Sequence, residues 1–194
     1  DFDVLLKDFD RDRVKAFMLA QGYDFGDANE DYHDSYFKKP RMCVEVHSAL
    51  KGKSLVEKVP AAENWMAGLW ERCKPINNKK HIYQMKLEDF YIHLLLHMYE
   101  NFNNKGTGLR SLVDLYVFLQ AEKENMDWSY LNGQLKELKL QDFSDSMERI
   151  GNACFSKEQT ELDNDSALVL EFFVDGGIYG SRKNQETLRV ARDN

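Results

Sequence analysis

The first six residues, Asp1 to Leu6, alternate acidic with apolar side chains and then continue apolar. This pattern predicts a β-strand that runs into a buried sheet, because residues two apart on a strand share a face. Asp1 and Asp3 would project from one face, and Phe2 and Val4 from the other. Two carboxylates this close repel each other unless a divalent cation lies between them, and hard oxygen ligands suit Mg²⁺ or Mn²⁺. The segment therefore predicts part of a metal site that needs one more carboxylate.

A second strand-like segment, from Arg41 to His47, contains such a carboxylate. Cys43, Glu45 and His47 alternate with two valines, so they would share one face of this strand. If the two strands are neighbours, Glu45 completes a set of three acids. Short acidic motifs also occur at solvated strand ends, so the residues alone leave a metal site and an ordinary strand end both open.

The composition is typical of a soluble globular protein and argues against some partners. With 43% hydrophobic and 30% charged residues, the 194-residue chain can bury a substantial core. Its net charge of −7 argues against a long nucleic acid as partner, because surfaces that bind one are usually basic. We also expect no membrane partner, since no apolar run approaches the roughly 20 residues of a membrane-spanning helix.

The cysteines indicate a reducing environment. Cys43, Cys73 and Cys154 are widely spaced and include no Cys-x-x-Cys pair. The sequence therefore predicts neither a disulfide framework nor a zinc knuckle. We expect a cytoplasmic location.

Residues 1–86 predict a small mixed sheet with flanking helices. Turn and capping residues separate the apolar patterns, and the last two strands expected before Lys51 form a hairpin that brings Glu45 beside the first strand. The expected elements are a helix from Asp10 or Asp12 to Gly22 with Val14, Phe17 and Met18 on its buried stripe, strands over 32–38 and 43–47, a helix over 61–73, and a possible last strand over 81–85.

From Leu87 onward the apolar period changes from two to 3.6 residues, which predicts helices. The helix over 109–120 is apolar nearly all round, so we expect it to be buried on several sides. The fold class is therefore α+β, with a sheet core over 1–86 and a C-terminal helical bundle over 87–194, packed together in one compact body. The expected helices are 87–102, 109–120, one capped by Asp127 and ending at 138, 141–155 and 166–174.

Several motifs occur in an order that resembles a known family. Asp-x-Asp on one strand with a Glu on a later strand resembles the catalytic core of the DNA polymerase β type nucleotidyltransferases. The whole series resembles a bacterial family described as uncharacterised nucleotidyltransferase. The motifs are Asp1-x-Asp3, Glu45-x-His47, Leu87-Glu88-Asp89-Phe90, Leu94-Leu95-Leu96-His97, Leu109-Arg110 with Asp114, and the closing Phe172 to Gly180.

This resemblance implies an activity and a catalytic site. In the superfamily, three acids hold two metal ions that position a nucleoside triphosphate (NTP). The implied catalytic acids and metal ligands here are Asp1, Asp3 and Glu45, with Mg²⁺ or Mn²⁺ as cofactor. The implied reaction moves a nucleoside monophosphate from an NTP to a hydroxyl of an acceptor that the sequence does not identify.

One departure keeps a second function open. Polymerase β type enzymes bind the triphosphate with a Gly-Gly or Gly-Ser turn just before the Asp-x-Asp strand, where backbone N–H groups hold phosphate oxygens. This sequence has no initiator methionine and begins within the predicted strand, so we expect further residues, including that turn, before Asp1. The alternative is a catalytically inactive nucleotide-sensing or protein-binding module on the same fold.

Five further residues are candidates for contacts with nucleotide or substrate, and all but His97 also have a structural interpretation. His47 would orient Glu45 or contact a ribose hydroxyl, or it is a hydrogen-bonded structural histidine. His97 would line the cleft, and Lys105 either reaches a phosphate or is solvated. Asp114 is the one charge in residues 112–119, so we expect it to be buried; with Arg110 it either fixes the helix or directs the guanidinium toward phosphate.

A zinc hydrolase is a further alternative. His93 and His97 are four residues apart on a helix, with Asp89 on the same face, and such spacing can bind zinc. The pair lacks the adjacent Glu of His-Glu-x-x-His, and a third ligand with suitable spacing is not evident. We therefore expect His93 at the surface.

Overall fold

The structure, a computed structural model, describes residues 2–29, 32–77, 79–104, 106–157 and 161–180. The chain divides into two compact units, Asp1–Trp70 and Glu71–Asn194. The boundary predicted after Lys86 thus lies within the second unit.

The first unit contains a four-stranded mixed sheet, as the α+β class predicts. β1 pairs in parallel with β4, and β4 pairs antiparallel with β3, which confirms the predicted hairpin. β2 pairs antiparallel with β3 at the far edge. β2 was not among the predicted strands, because its segment, Asp-Phe-Gly-Asp-Ala-Asn, does not alternate apolar with polar residues. The strand order is β1 (Phe2–Leu5), β4 (Met42–His47), β3 (His33–Lys38), β2 (Asp24–Asn29).

Helix α1, Arg11–Ala20, lies where the sequence predicted it. The side chain of Asp10 caps it by accepting a hydrogen bond from the Arg13 backbone N–H at 3.1 Å. Gly22 follows with φ of +77°, a conformation that favours glycine. The prediction that Phe17 lies on the buried stripe is wrong, since its side chain is 62% exposed. The helix packs through a narrower face than its apolar residues suggest.

The core of the first unit lies between α1 and one face of the sheet. Met18 of α1 packs against Tyr36, Val44 and Val46, and all four side chains are buried. Glu45 lies between the two valines in β4, so it projects from the opposite face. The sheet therefore has one face that packs under α1 and one that carries polar groups.

Three short helices follow the sheet in sequence, α2 (Lys53–Lys58), α3 (Ala61–Ala67) and α4 (Leu69–Arg72). The single helix predicted over 61–73 is interrupted at Gly68, which caps α3. The residues after Gly68 therefore form a separate helix, α4.

The strand predicted near residue 83 does not join the main sheet. β5 (Lys74–Pro75) and β6 (Tyr83–Gln84) form a separate two-stranded sheet in the second unit. Both strands are two residues long and exposed, so they bury no face of a sheet. The weak apolar pattern over 81–85 therefore does not indicate a strand of the main sheet.

The helices predicted after residue 86 are confirmed. Helix α5 packs against α6 and α7, and α8 packs against α6, α7 and α9. Asp127 caps α7 as predicted, accepting a hydrogen bond from the Tyr130 backbone N–H at 3.0 Å. Their description as a bundle stays a prediction. The helices are α5 (Leu87–Asn104), α6 (Leu109–Glu122), α7 (Trp128–Glu137), α8 (Gln141–Phe155) and α9 (Asn164–Asp175).

The expectation that α6 is buried on several sides is wrong. Leu112, Leu115 and Leu119 form one buried stripe, whereas Val117 is 56% exposed. Apolar residues on the outer side of a helix cannot be told from core residues by hydropathy alone.

Buried polar groups join the helices of the second unit. Asp89 of α5 is fully buried, and its carboxylate accepts hydrogen bonds from Arg72 Nε at 3.0 and 3.1 Å and from the Tyr130 hydroxyl at 3.1 Å. The Tyr91 hydroxyl lies 2.6 Å from Ser144 Oγ of α8, and both residues are buried. Such groups are stable inside a protein only while they keep these partners.

We expect the protein to lose stability in strong alkali. Burial is the main cause that raises the pKa of Tyr91, and also of Tyr130, from 10.0 to about 12. The folded state therefore holds these protons more tightly than the unfolded state, so this contribution is complete below pH 10 and is lost as the pH rises toward about 12. Urea midpoints measured across that range should fall.

A Tyr91→Phe variant separates the contribution of Tyr91. It should be less stable at pH 8 by about 1 kcal/mol, because Ser144 loses its partner, and its midpoint should fall less steeply than wild type at alkaline pH. An equally steep fall in the variant would show that Tyr91 does not cause the loss.

Candidate metal centre

The parallel pairing of β1 with β4 brings together side chains that are more than 40 residues apart in sequence. Asp3 is the register partner of Glu45, and Leu5 is the partner of His47. Register partners in a parallel pair project from the same face. Asp3, Glu45 and His47 therefore share the face of the sheet that α1 does not cover.

These three side chains form a compact group. His47 Nε2 lies 3.2 Å from Asp3 Oδ1 and 3.6 Å from Glu45 Oε2. One donor atom from each residue lies within 4.8 Å of the other two. In the described part of the chain, this is the one group of three such side chains close enough to hold a metal ion.

The donor set fits a divalent cation. Two carboxylates supply oxygen ligands, and the imidazole adds a nitrogen ligand that suits Mn²⁺ and later transition metals better than Mg²⁺. Asp3 is 65% exposed, whereas Glu45 and His47 are 26% and 15% exposed. The group is thus anchored on β4 and open to solvent on the β1 side, where a substrate can approach.

His33 is a member of this site that the sequence analysis missed. Its Nε2 lies 3.8 Å from Glu45 Oε2, and its ring lies 5.0 Å from the ring of His47. His33 is the register partner of His47 across β3 and β4. Polar and apolar residues alternate in the hairpin, and this alternation places His33 beside His47 only when the strand register is known. The sequence does not supply that register.

The hairpin end next to these histidines is fixed by backbone contacts. Ser48 donates from both its backbone N–H and its hydroxyl to the Tyr32 carbonyl, at 2.8 and 3.1 Å. The ring of Tyr32 packs 4.8 Å from His33 and 5.7 Å from His47. The two imidazoles are therefore held in place by their surroundings.

A family model matches most of the chain. The family model described as uncharacterised nucleotidyltransferase matches residues 1–156. The chain belongs to this uncharacterised nucleotidyltransferase family. The membership supports nucleotidyl transfer as the general activity, and the match spans both the sheet and most of the helices of the second unit. Searches of curated proteins and of solved structures returned no significant match.

Two of the predicted site residues of this nucleotidyltransferase, Asp1 and Lys105, lie outside the described residues. Asp1 as a metal ligand and Lys105 as a phosphate contact therefore stay predictions.

Arg110 and Asp114 form an exposed pair on α6. Their side chains are 61% and 56% exposed, and Arg110 Nε lies 3.8 Å from Asp114 Oδ2. The expectation that Asp114 is buried is wrong, because α6 packs through its leucine stripe and Asp114 projects from the other side. The Arg110 guanidinium also lies 5.6 Å from the Tyr179 ring centroid. An exposed pair of this kind contributes little to stability.

The two histidines of α5 do not form a metal group. His97 is exposed and His93 is half-buried. Asp89, the carboxylate expected on their face, is instead bonded to Arg72 and Tyr130. No three-ligand group that includes either histidine occurs among the residues the structure describes, so the zinc alternative has no structural support there.

Within the described ranges, no helix is both long enough and apolar enough to cross a bilayer.

We expect divalent metal binding to depend on the acids of this group. Asp3→Asn and Glu45→Gln should each weaken the Mn²⁺ affinity at least about tenfold, measured by calorimetry on the folded protein. Asp12→Asn is the matched control, because Asp12 is an exposed acid on α1, which covers the other face of the sheet. Equal losses in the control and the two site variants would contradict the assignment.

The imidazole allows a sharper comparison of metals. His47→Gln should weaken Mn²⁺ binding more than Mg²⁺ binding, because nitrogen ligands favour Mn²⁺. If both affinities change by the same factor, His47 does not bind the metal.

Proposed function

We propose that this protein is a metal-dependent nucleotidyltransferase, which moves a nucleoside monophosphate from an NTP to a hydroxyl of an acceptor. The observation that carries the proposal is the group of Asp3, Glu45 and His47 on the uncovered face of the sheet. The family membership supports nucleotidyl transfer as the general reaction class of the chain.

In the proposed site, Asp3 and Glu45 hold the cofactor, Mg²⁺ or Mn²⁺, together with Asp1. When bound, such an ion neutralises charge on phosphate oxygens and lowers the pKa of the attacking hydroxyl. Phosphoryl transfer depends mainly on positioning and on neutralising charge, with little covalent work for the protein. This matches a site built on carboxylates that share one face of the sheet.

In this proposal His47 binds the metal together with the carboxylates, because its Nε2 lies within reach of both. His33 is a positioning residue, since its Nε2 lies 3.8 Å from Glu45 Oε2 and limits the rotation of Glu45. The acceptor oxygen then bonds to the α-phosphorus, the bond to the bridging oxygen breaks, pyrophosphate leaves, and the hydroxyl proton passes to solvent.

Three further contacts are proposed from the resemblance to the family. His97, Arg110 and Asp114 would meet the NTP or the acceptor, with Arg110 as a donor to phosphate oxygens. The exposure of Arg110 and Asp114 leaves both side chains accessible to a ligand. We propose a small or compact acceptor, since the net charge of −7 does not favour a long nucleic acid, and a cytoplasmic location.

The test measures pyrophosphate release from ATP, GTP, CTP and UTP with Mg²⁺ or Mn²⁺ and a panel of hydroxyl acceptors. Asp3→Ala and Glu45→Ala should each lower the rate at least about a hundredfold, a loss typical of removing one electrostatic contribution to a transition state. The urea midpoint should stay close to that of wild type, because Asp3 is exposed and Glu45 lies outside the apolar core.

Asp12→Ala should keep full activity and serves as the control. Full transfer activity in Asp3→Ala would show that the metal assignment is wrong. NTP binding without pyrophosphate release from any acceptor would instead favour the nucleotide-sensing or protein-binding module.

A further inference from the structure

A cleft of about 600 Å³ lies in the first unit, next to the candidate metal centre. Leu5 and Ser48 belong to its lining. Leu5 follows Asp3 by two residues on β1 and so shares its face, and Ser48 directly follows His47. The cleft therefore begins on the same face of the sheet as the acids, at the strand end beyond them.

The walls of the cleft come from helices α2, α3 and α4. Lys53, Val56 and Glu57 of α2 line it, as do Glu63, Met66 and Ala67 of α3. Residues three and four apart share a helix face, so each of these two helices presents one side to the cleft. Trp70 of α4 adds its indole.

The lining combines an apolar surface with charged groups of both signs. Leu50, Met66 and Trp70 give flat or adaptable apolar surface, which suits a planar ring. Lys51 lies on the segment that leads from β4 into α2, Lys53 is the first residue of α2, and both line the cleft. Glu57 and Glu63 balance their charge in the lining as a whole, so the two lysines form a cationic spot at the start of α2 and not a positive cleft.

These properties together define the chemistry of an occupant. The volume lies within the range of about 300 to 1,000 Å³ that is typical of small-molecule sites. The occupant needs a planar, mostly apolar end for the cleft and an anionic end for the lysines and for the metal centre beyond Leu5. A nucleoside triphosphate has both ends in one molecule.

We propose that this cleft binds the base and ribose of the NTP, with the Trp70 indole against the base and with Lys51 and Lys53 near the phosphates. The proposal rests on the proposed function, because the group of Asp3 and Glu45 would receive the triphosphate end. Glu57 offers carboxylate oxygens to the amino and ring N–H groups of a base. The acceptor is the competing occupant, and the experiment separates the two.

The first measurement follows tryptophan fluorescence during titration of the full chain with ATP, GTP, CTP and UTP in MgCl₂. Binding at the cleft should change the emission of wild type. Trp70→Phe should lose most of this change and keep nearly the same affinity by calorimetry, because phenylalanine preserves an aromatic face. Trp128→Phe, in α7 of the second unit, should keep the change and is the matched control.

The second measurement fills the cleft instead of removing a wall. Ala67 is exposed and lines the cleft, so Ala67→Trp adds bulk there without opening a cavity in the core. It should weaken NTP binding at least about tenfold, which is within the range of losing one base–aromatic stack. Ala16→Trp is the control, since Ala16 is an exposed alanine on α1, on the other side of the sheet.

The outcomes distinguish this proposal from the proposed function. If Asp3→Asn abolishes NTP binding while Ala67→Trp and Trp70→Phe leave the affinity and the emission change intact, the base binds elsewhere and the cleft proposal is overturned. If wild type binds no NTP in Mg²⁺ or Mn²⁺, the proposed function fails and this proposal fails with it. Loss of binding in both Asp3→Asn and Ala67→Trp, with Ala16→Trp unchanged, supports both.

Discussion

The parallel pairing of β1 with β4 is the constraint on which the site depends. It sets Asp3 beside Glu45 and, at the same time, directs Val44 and Val46 toward the core under α1. A register shift of one residue would turn the carboxylate of Asp3 toward the core, because strand side chains alternate between faces. Burial of the apolar face thus fixes the register that assembles the polar face. The hydrophobic core and the candidate metal centre are two consequences of one alternation.

On the polar face of the sheet, histidine side chains lie close to both carboxylates. Asp3 and Glu45 would repel each other in isolation, and His47 lies within reach of both while His33 flanks Glu45. Each neighbour limits where a carboxylate can turn, which is the positioning that a phosphoryl-transfer site requires. The cleft that begins beside Leu5 lies on the same face and is lined partly by apolar side chains. The carboxylates and an apolar surface are therefore neighbours on this face.

Local patterns were enough to predict much of this arrangement. The alternation around Asp3 and Glu45 predicted both strands, and capping residues such as Asp10 and Asp127 predicted where two helices begin. The wrong or missing predictions for individual side chains have one physical cause. The apolar period of a helix or strand does not show which element packs against each of its faces. His33 could be found only from the hairpin register. Asp114 lies among apolar residues in sequence and yet projects from the exposed side of α6.

The most direct test of the central claim is a crystal structure of the full chain grown with MnCl₂, with anomalous scattering measured at the manganese edge. We expect a manganese peak bound by carboxylate oxygens of Asp3 and Glu45 and by Nε2 of His47. A manganese peak held by other residues, with none at this group, would contradict the claim that β1 and β4 pair to build the metal site of a nucleotidyltransferase.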